Sequence, residues 1–140
     1  MSTTLPKLFV AGLVVLHAGL LVWALMGFAE WFRLDVPWPH VANPLFPHGV
    51  LFAHWTSVLA TASLFLGGLA LRWPATPSAV ACGYAAMATV CLIETTTYLV
   101  HDTRWLAMGL EYAAYIGIGL FMFRSAWAQA HFSGGAGITG

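Results

Sequence analysis

Charge is scarce in this sequence: five basic and five acidic residues among 140, or 7% of the chain. Soluble domains carry roughly 25% charged residues, so a water-facing surface cannot be built from this composition. The few charges balance, which leaves no basic patch for nucleic acid and no acidic block typical of disordered tails. Cysteine is rarer still, and two residues do not make a disulfide scaffold. Cys82 and Cys91 point to opposite faces of one helix and read as buried, inert thiols. The sequence also lacks HExxH and repeated Glu-x-x-His spacings, a Gly-rich phosphate loop and a Ser-His-Asp order. A soluble globular enzyme is excluded. What the chain has in plenty is hydrocarbon, with 60% apolar and 14% aromatic residues. That composition describes a small integral membrane protein.

The charges mark out the spans. Four apolar segments, at about 8–29, 50–71, 79–100 and 105–127, each exceed the ~20 residues a helix needs to cross a hydrocarbon core. Period-two alternation, the mark of a membrane barrel, is missing. The expectation is an all-α polytopic protein, an antiparallel bundle of four transmembrane helices forming one domain over residues 1–132. A flexible tail, 133–140, follows. The first segment is too long for a signal-peptide core and has no A-x-A-like site before Glu30, so it reads as a helix of the mature protein. The loop between helices 1 and 2 is rich in Trp, Phe and Pro, and suits the headgroup layer. Lys7, Arg72 and Arg124 on one side, against Arg33 and Arg104 on the other, favour cytoplasmic termini in a bacterial inner membrane. Small-xxx-small pairs, Ser63 with Gly67 and Ala113 with Gly117, are the expected helix contacts within the bundle, with another protomer as the alternative.

Ionisable groups inside spans are costly and face bundle interiors or wet cavities. Four qualify: His17, His54, Glu94 and Glu111. At ~1.5 Å of rise per residue, His54 lies roughly 6 Å and each glutamate about 9 Å below the loop-side surface. Three helices thus bring titratable groups to one layer, while His17 sits near mid-membrane and reads as a structural hydrogen-bonding group. Tyr98 and His101 share a helical stripe with Glu94, Tyr115 shares one with Glu111, and Ser57 and Thr61 share one with His54. A polar pocket in this half of the bundle follows. A single imidazole in aromatic surroundings also suits an axial haem ligand or a chlorophyll-type pigment. A metal held by His54, Glu94 and Glu111 is geometrically allowed but has no spacing signature.

The run around helix 2 adds a likeness. Asn43-Pro44, then Ala53-His54 opening the span and Trp73-Pro74 closing it, resembles the small four-helix membrane isomerases of the styrene oxide isomerase and hydroxylaminobenzene mutase group. The resemblance implies haem b on His54, the candidate metal ligand, with ferric iron polarising an epoxide oxygen on the way to an aldehyde. Only His54 carries over. The family's Asn-Gly after the histidine is replaced by Ala60 and Thr61, and its Asn-containing motif in helix 3 by Glu94 and threonines.

Two classes of function follow. One is an intramembrane isomerase of a small lipophilic substrate, with Glu94, Glu111 and Tyr98 as catalytic residues that position or polarise it, in a homo-oligomer. The other is a non-catalytic accessory subunit of a larger respiratory or photosynthetic membrane complex. A proton path through Glu94 and Glu111 ranks behind both, because the other half of the bundle offers little beyond His17.

Overall fold

The computed structural model describes residues 4–133, and among them every regular element is helical. The helices are α1 (Thr4–Trp31), α2 (His48–Ala70), α3 (Thr76–Ile93), α4 (Arg104–Arg124) and a short α5 (Ala126–Phe132). A π-helical turn, Glu94–Tyr98, prolongs α3. Four helices, of 28, 23, 23 and 21 residues when the π turn is counted with α3, are long and apolar enough to cross a membrane. In such surroundings the backbone must satisfy its own polar groups, which a helix does internally. Leu8, Val15, Leu25, Leu106, Ile116 and Leu120 face outward, so the helices are apolar on both their packed and their open sides.

Local chemistry sets the helix ends. Both α1 and α2 close in a Schellman arrangement, with Leu34 N–H on Ala29 O at 3.0 Å and Trp73 N–H on Gly68 O at 2.9 Å. The left-handed residue of each is an arginine rather than glycine: Arg33 at φ 58° and Arg72 at φ 50°. A left-handed L-residue costs roughly 1–2 kcal/mol, which a cation at a helix C-terminus offsets by about half a kcal/mol. Prolines fill the loop of residues 32–47 and Pro47 immediately precedes α2, while Pro77 lies in the first turn of α3, where a missing N–H is harmless.

Side-chain contacts establish the antiparallel order. Phe9 near the start of α1 meets Phe121 near the end of α4, with ring centroids 4.6 Å apart, and His131 of α5 reaches Leu69 O at the end of α2. At the opposite end, Trp31 of α1 donates to His48 O of α2 at 3.0 Å, and Phe46 of the loop faces Tyr98. These two ends are called the terminal end and the loop end below. A buried core of Leu13, Trp55, Val58, Phe65, Val80, Met87, Ile118 and Met122 joins the spans.

Two expectations change. The fourth span was placed to residue 127, but the chain breaks at Ser125, whose ψ is 135° and whose hydroxyl caps the Ala128 N–H at 3.1 Å. The segment beyond it folds back as α5, with Trp127 stacked on Phe121. The small-residue pairs Ser63/Gly67 and Ala113/Gly117 lie on exposed faces and make no close approach between helices of this chain. Close packing falls instead at Gly27 against Trp55, Gly68 against Thr76 and Gly83 against Thr61. Of the tail expected to be flexible, residues 134–140 lie outside the described residues.

Candidate functional site

His54 stands on the second turn of α2, held on two sides by tryptophan rings. Trp23 of α1 meets it edge-on at 5.3 Å between centroids, and Trp55 does so at 4.6 Å. Its Nδ1 lies 2.8 Å from Glu94 Oε1. A carboxylate oxygen accepts, so Nδ1 carries a hydrogen and donates, which leaves Nε2 as the ring nitrogen not held by Glu94. The pair is largely enclosed, the His54 side chain being 19% and the Glu94 side chain 9% exposed. Glu94 opens the π-helical turn, closed by Leu99 N–H on Glu94 O at 2.9 Å. Such turns occur mostly as single insertions in α-helices and often at functional sites.

Glu111 of α4 approaches from the other wall. It accepts hydrogen bonds from the Tyr115 hydroxyl and from the Cys91 thiol, the latter at 3.2 Å. His54, Glu94 and Glu111 border one space of about 30 Å³, large enough for a single water. The layer inferred from helical rise is therefore a physical cluster. Beside it lies a cavity of about 280 Å³ in the seam between α1 and α4. Leu16, Leu20, Val58, Met87 and Ile118 make most of its wall hydrocarbon, and His54, Glu111, Tyr84 and Tyr115 supply its polar side.

The remaining sequence candidates separate. Tyr98 is not among the residues bordering this cluster; its ring faces Phe46, at 6.1 Å between centroids. Tyr98 is the last residue of the π turn, just before Leu99 leaves the helix at ψ 135°, and its ring packs toward the loop. His101 is exposed and bonds Thr103 at 3.0 Å. The hydroxyls of Ser57 and Thr61 donate to their own helix carbonyls and do not enrich the pocket as donors. His17 is fully buried with both ring nitrogens engaged, by Leu13 O at 2.7 Å and the Tyr84 hydroxyl at 2.8 Å, and it stacks on Phe65. It is a structural joint, as expected. Cys91 is the buried thiol expected and donates to Glu111, whereas Cys82, also read as buried, is exposed. Tyr84, Trp23 and Cys91 were not expected at the site. Tyr84, Met87, Cys91 and Glu94 follow one another at three- and four-residue steps, the helical signal that places all four on one face.

The metal reading finds no ligand set: among the described residues no three His, Cys, Asp or Glu side chains group to hold an ion. For haem, the donor is suitable, since a histidine whose other nitrogen rests on a carboxylate is the usual oriented ligand. The space is not. An apolar cavity of about 150 Å³ holds one benzene ring, and 280 Å³ does not take a four-pyrrole macrocycle within a single chain. Within a single chain His54 thus offers haem a ligand but not a pocket, and the isolated single chain is expected to show no Soret band. A Soret band that disappears in His54→Ala would reverse this.

Fold and site together define a helical protein with four candidate membrane spans and a largely enclosed His–Glu pair beside a lipophilic cavity. No protein-family model matches the chain, and no curated protein or solved structure matches it.

Proposed function

We propose that this chain is an intramembrane isomerase of a small lipophilic, epoxide-like substrate, with His54 as the proton-handling group and Glu94 as its positioning partner. The observation that carries the reading is the 2.8 Å His54–Glu94 pair, whose imidazole lines an apolar cavity that Glu111 also borders. The cavity size suits a molecule of one or two rings. Its place between α1 and α4 lets an apolar substrate arrive sideways from lipid.

In this reading the imidazolium of His54, paired with Glu94, donates the Nε2 proton to the epoxide oxygen as a C–O bond breaks. The Glu111 carboxylate stabilises the positive charge that develops on carbon. A hydride then shifts from the neighbouring carbon, giving a protonated carbonyl, and Nε2 takes the proton back to leave the aldehyde. Atoms and protons balance, and no second substrate or electron carrier is consumed. Hydrocarbon walls keep out the water that would trap the cation as a diol.

The test is conversion of small aryl epoxides by purified protein in neutral maltoside micelles, followed by aldehyde NMR. Wild type converts them. Ala114→Phe, which fills the cavity wall, does not, although it remains folded. A folded wild-type protein inactive on aryl and alkyl epoxides alike would overturn the reading. Purification at fixed stoichiometry with large subunits would then favour the accessory-subunit alternative.

A further inference from the structure

A second cavity, larger than the His54 cavity and apart from it, lies at the loop end and has a volume of about 490 Å³, the size of an ordinary ligand pocket. Its frame is pinned. Both oxygens of Glu30 accept backbone N–H groups of the loop, from Val41 at 2.7 Å and Ala42 at 3.0 Å. Trp31 is tied to His48 O, and its ring stacks on the His48 imidazole at 4.3 Å. The only carboxylate in the lining is thus engaged in holding the loop.

The other polar groups in the lining side chains are hydrogen-bond donors or imidazoles. Arg33 borders the pocket, is exposed, and forms no ion pair or side-chain hydrogen bond among the described residues. It occupies a left-handed position where glycine would sit without strain, at φ 58°. Trp55, 1% exposed, borders the same pocket and carries a buried indole N–H that has no acceptor among the described residues. His40, whose Nδ1 lies 3.8 Å from Glu30 Oε1, and His48 complete the polar lining, and Leu34, Val36 and Leu51 supply hydrocarbon.

We propose that this pocket binds the head of an anionic amphiphile, a phosphate or carboxylate carried on a hydrocarbon chain, with Arg33 as its ion-pairing residue. The acceptor oxygens meet Arg33 and the imidazoles, and the chain lies along the leucine and valine surface. A pocket at the end of two spans is where such a head would lie in a bilayer. The inference stands whether or not His54 is catalytic.

The test uses the full chain in neutral maltoside micelles, titrated with octyl phosphate and read by tryptophan fluorescence, since Trp31 and Trp55 line the pocket. Inorganic phosphate, titrated separately, distinguishes a free anion from an amphiphile. Arg33→Gly and Arg72→Gly both relieve a positive φ and are expected to melt at or above the wild-type temperature. Arg33→Gly weakens octyl phosphate binding at least tenfold, and Arg72→Gly, at the other end, leaves it within twofold. Arg33→Gln behaves as Arg33→Gly does in binding. The proposal is overturned if Arg33→Gly binds as wild type, if Arg72→Gly loses as much, or if inorganic phosphate binds as tightly as octyl phosphate.

Discussion

His54→Ala is expected to lower aldehyde formation by about 10²–10⁴, the usual effect of removing a positioned general acid or base. Glu94→Gln should lower it by about 10¹–10², because a neutral amide still accepts from Nδ1 but no longer stabilises the imidazolium. Glu94 has no role in this scheme except through His54. Adding Glu94→Gln to His54→Ala should therefore cost little more than His54→Ala alone, within about threefold. A structural role for Glu94 would give losses that multiply, together with a fall in melting temperature parallel to the fall in rate. Glu111→Gln should multiply with Glu94→Gln, because Glu111 acts on the substrate from the other wall and holds its own partners, Tyr115 and Cys91. Tyr98→Phe should leave the rate within threefold, since its ring faces the loop. A large loss in Tyr98→Phe would return Tyr98 to the catalytic set expected from sequence.

What the sequence made legible follows from the kind of signal each feature leaves. The spans were visible because ten charges and the Pro-rich loop interrupt otherwise continuous hydrocarbon. The His54, Glu94 and Glu111 layer was visible because helical rise converts residue number into depth, and depth is shared across neighbours. That Tyr98 packs toward the loop was not legible, because it ends the turn where the chain leaves the helix, and the threonines at 95–97 suit several backbone geometries. The break at Ser125 failed because neither Gly nor Pro announces it. The cavity was not legible at all. Its walls come from four helices, and whether side chains on different helices leave a gap depends on their joint packing. The glycine contacts failed for the same reason, because a small residue matters only when a large one stands opposite.

Gly27 makes that dependence measurable. A Cβ there would overlap Cε2, Cδ2 and Cζ2 of the Trp55 ring. Trp55 is 1% exposed, with Trp23 edge-on at 4.9 Å and His54 at 4.6 Å, so its ring can shift only toward the loop-end cavity that it borders. Gly27→Ala should thus destabilise the fold by about 2 kcal/mol: roughly 3 kcal/mol of overpacking, less about 1 kcal/mol gained from helix propensity. Gly12→Ala and Gly19→Ala, on the same helix with open space around the added methyl, receive only the gain and should be neutral or stabilising by up to about 1 kcal/mol. Denaturation in mixed micelles at fixed detergent composition reads the difference directly. The decisive variant is the double one. Trp55→Phe alone should destabilise, because it opens a hole in the largest buried side chain, but combined with Gly27→Ala it removes the ring atoms the methyl would strike. The double variant should then be more stable than the sum of the singles by 1 kcal/mol or more, a coupling of compensating sign. Additive losses, or a Gly27→Ala as mild as Gly12→Ala, would mean that α1 and α2 do not approach through this glycine. The tryptophan cage around His54 would then rest on some other contact.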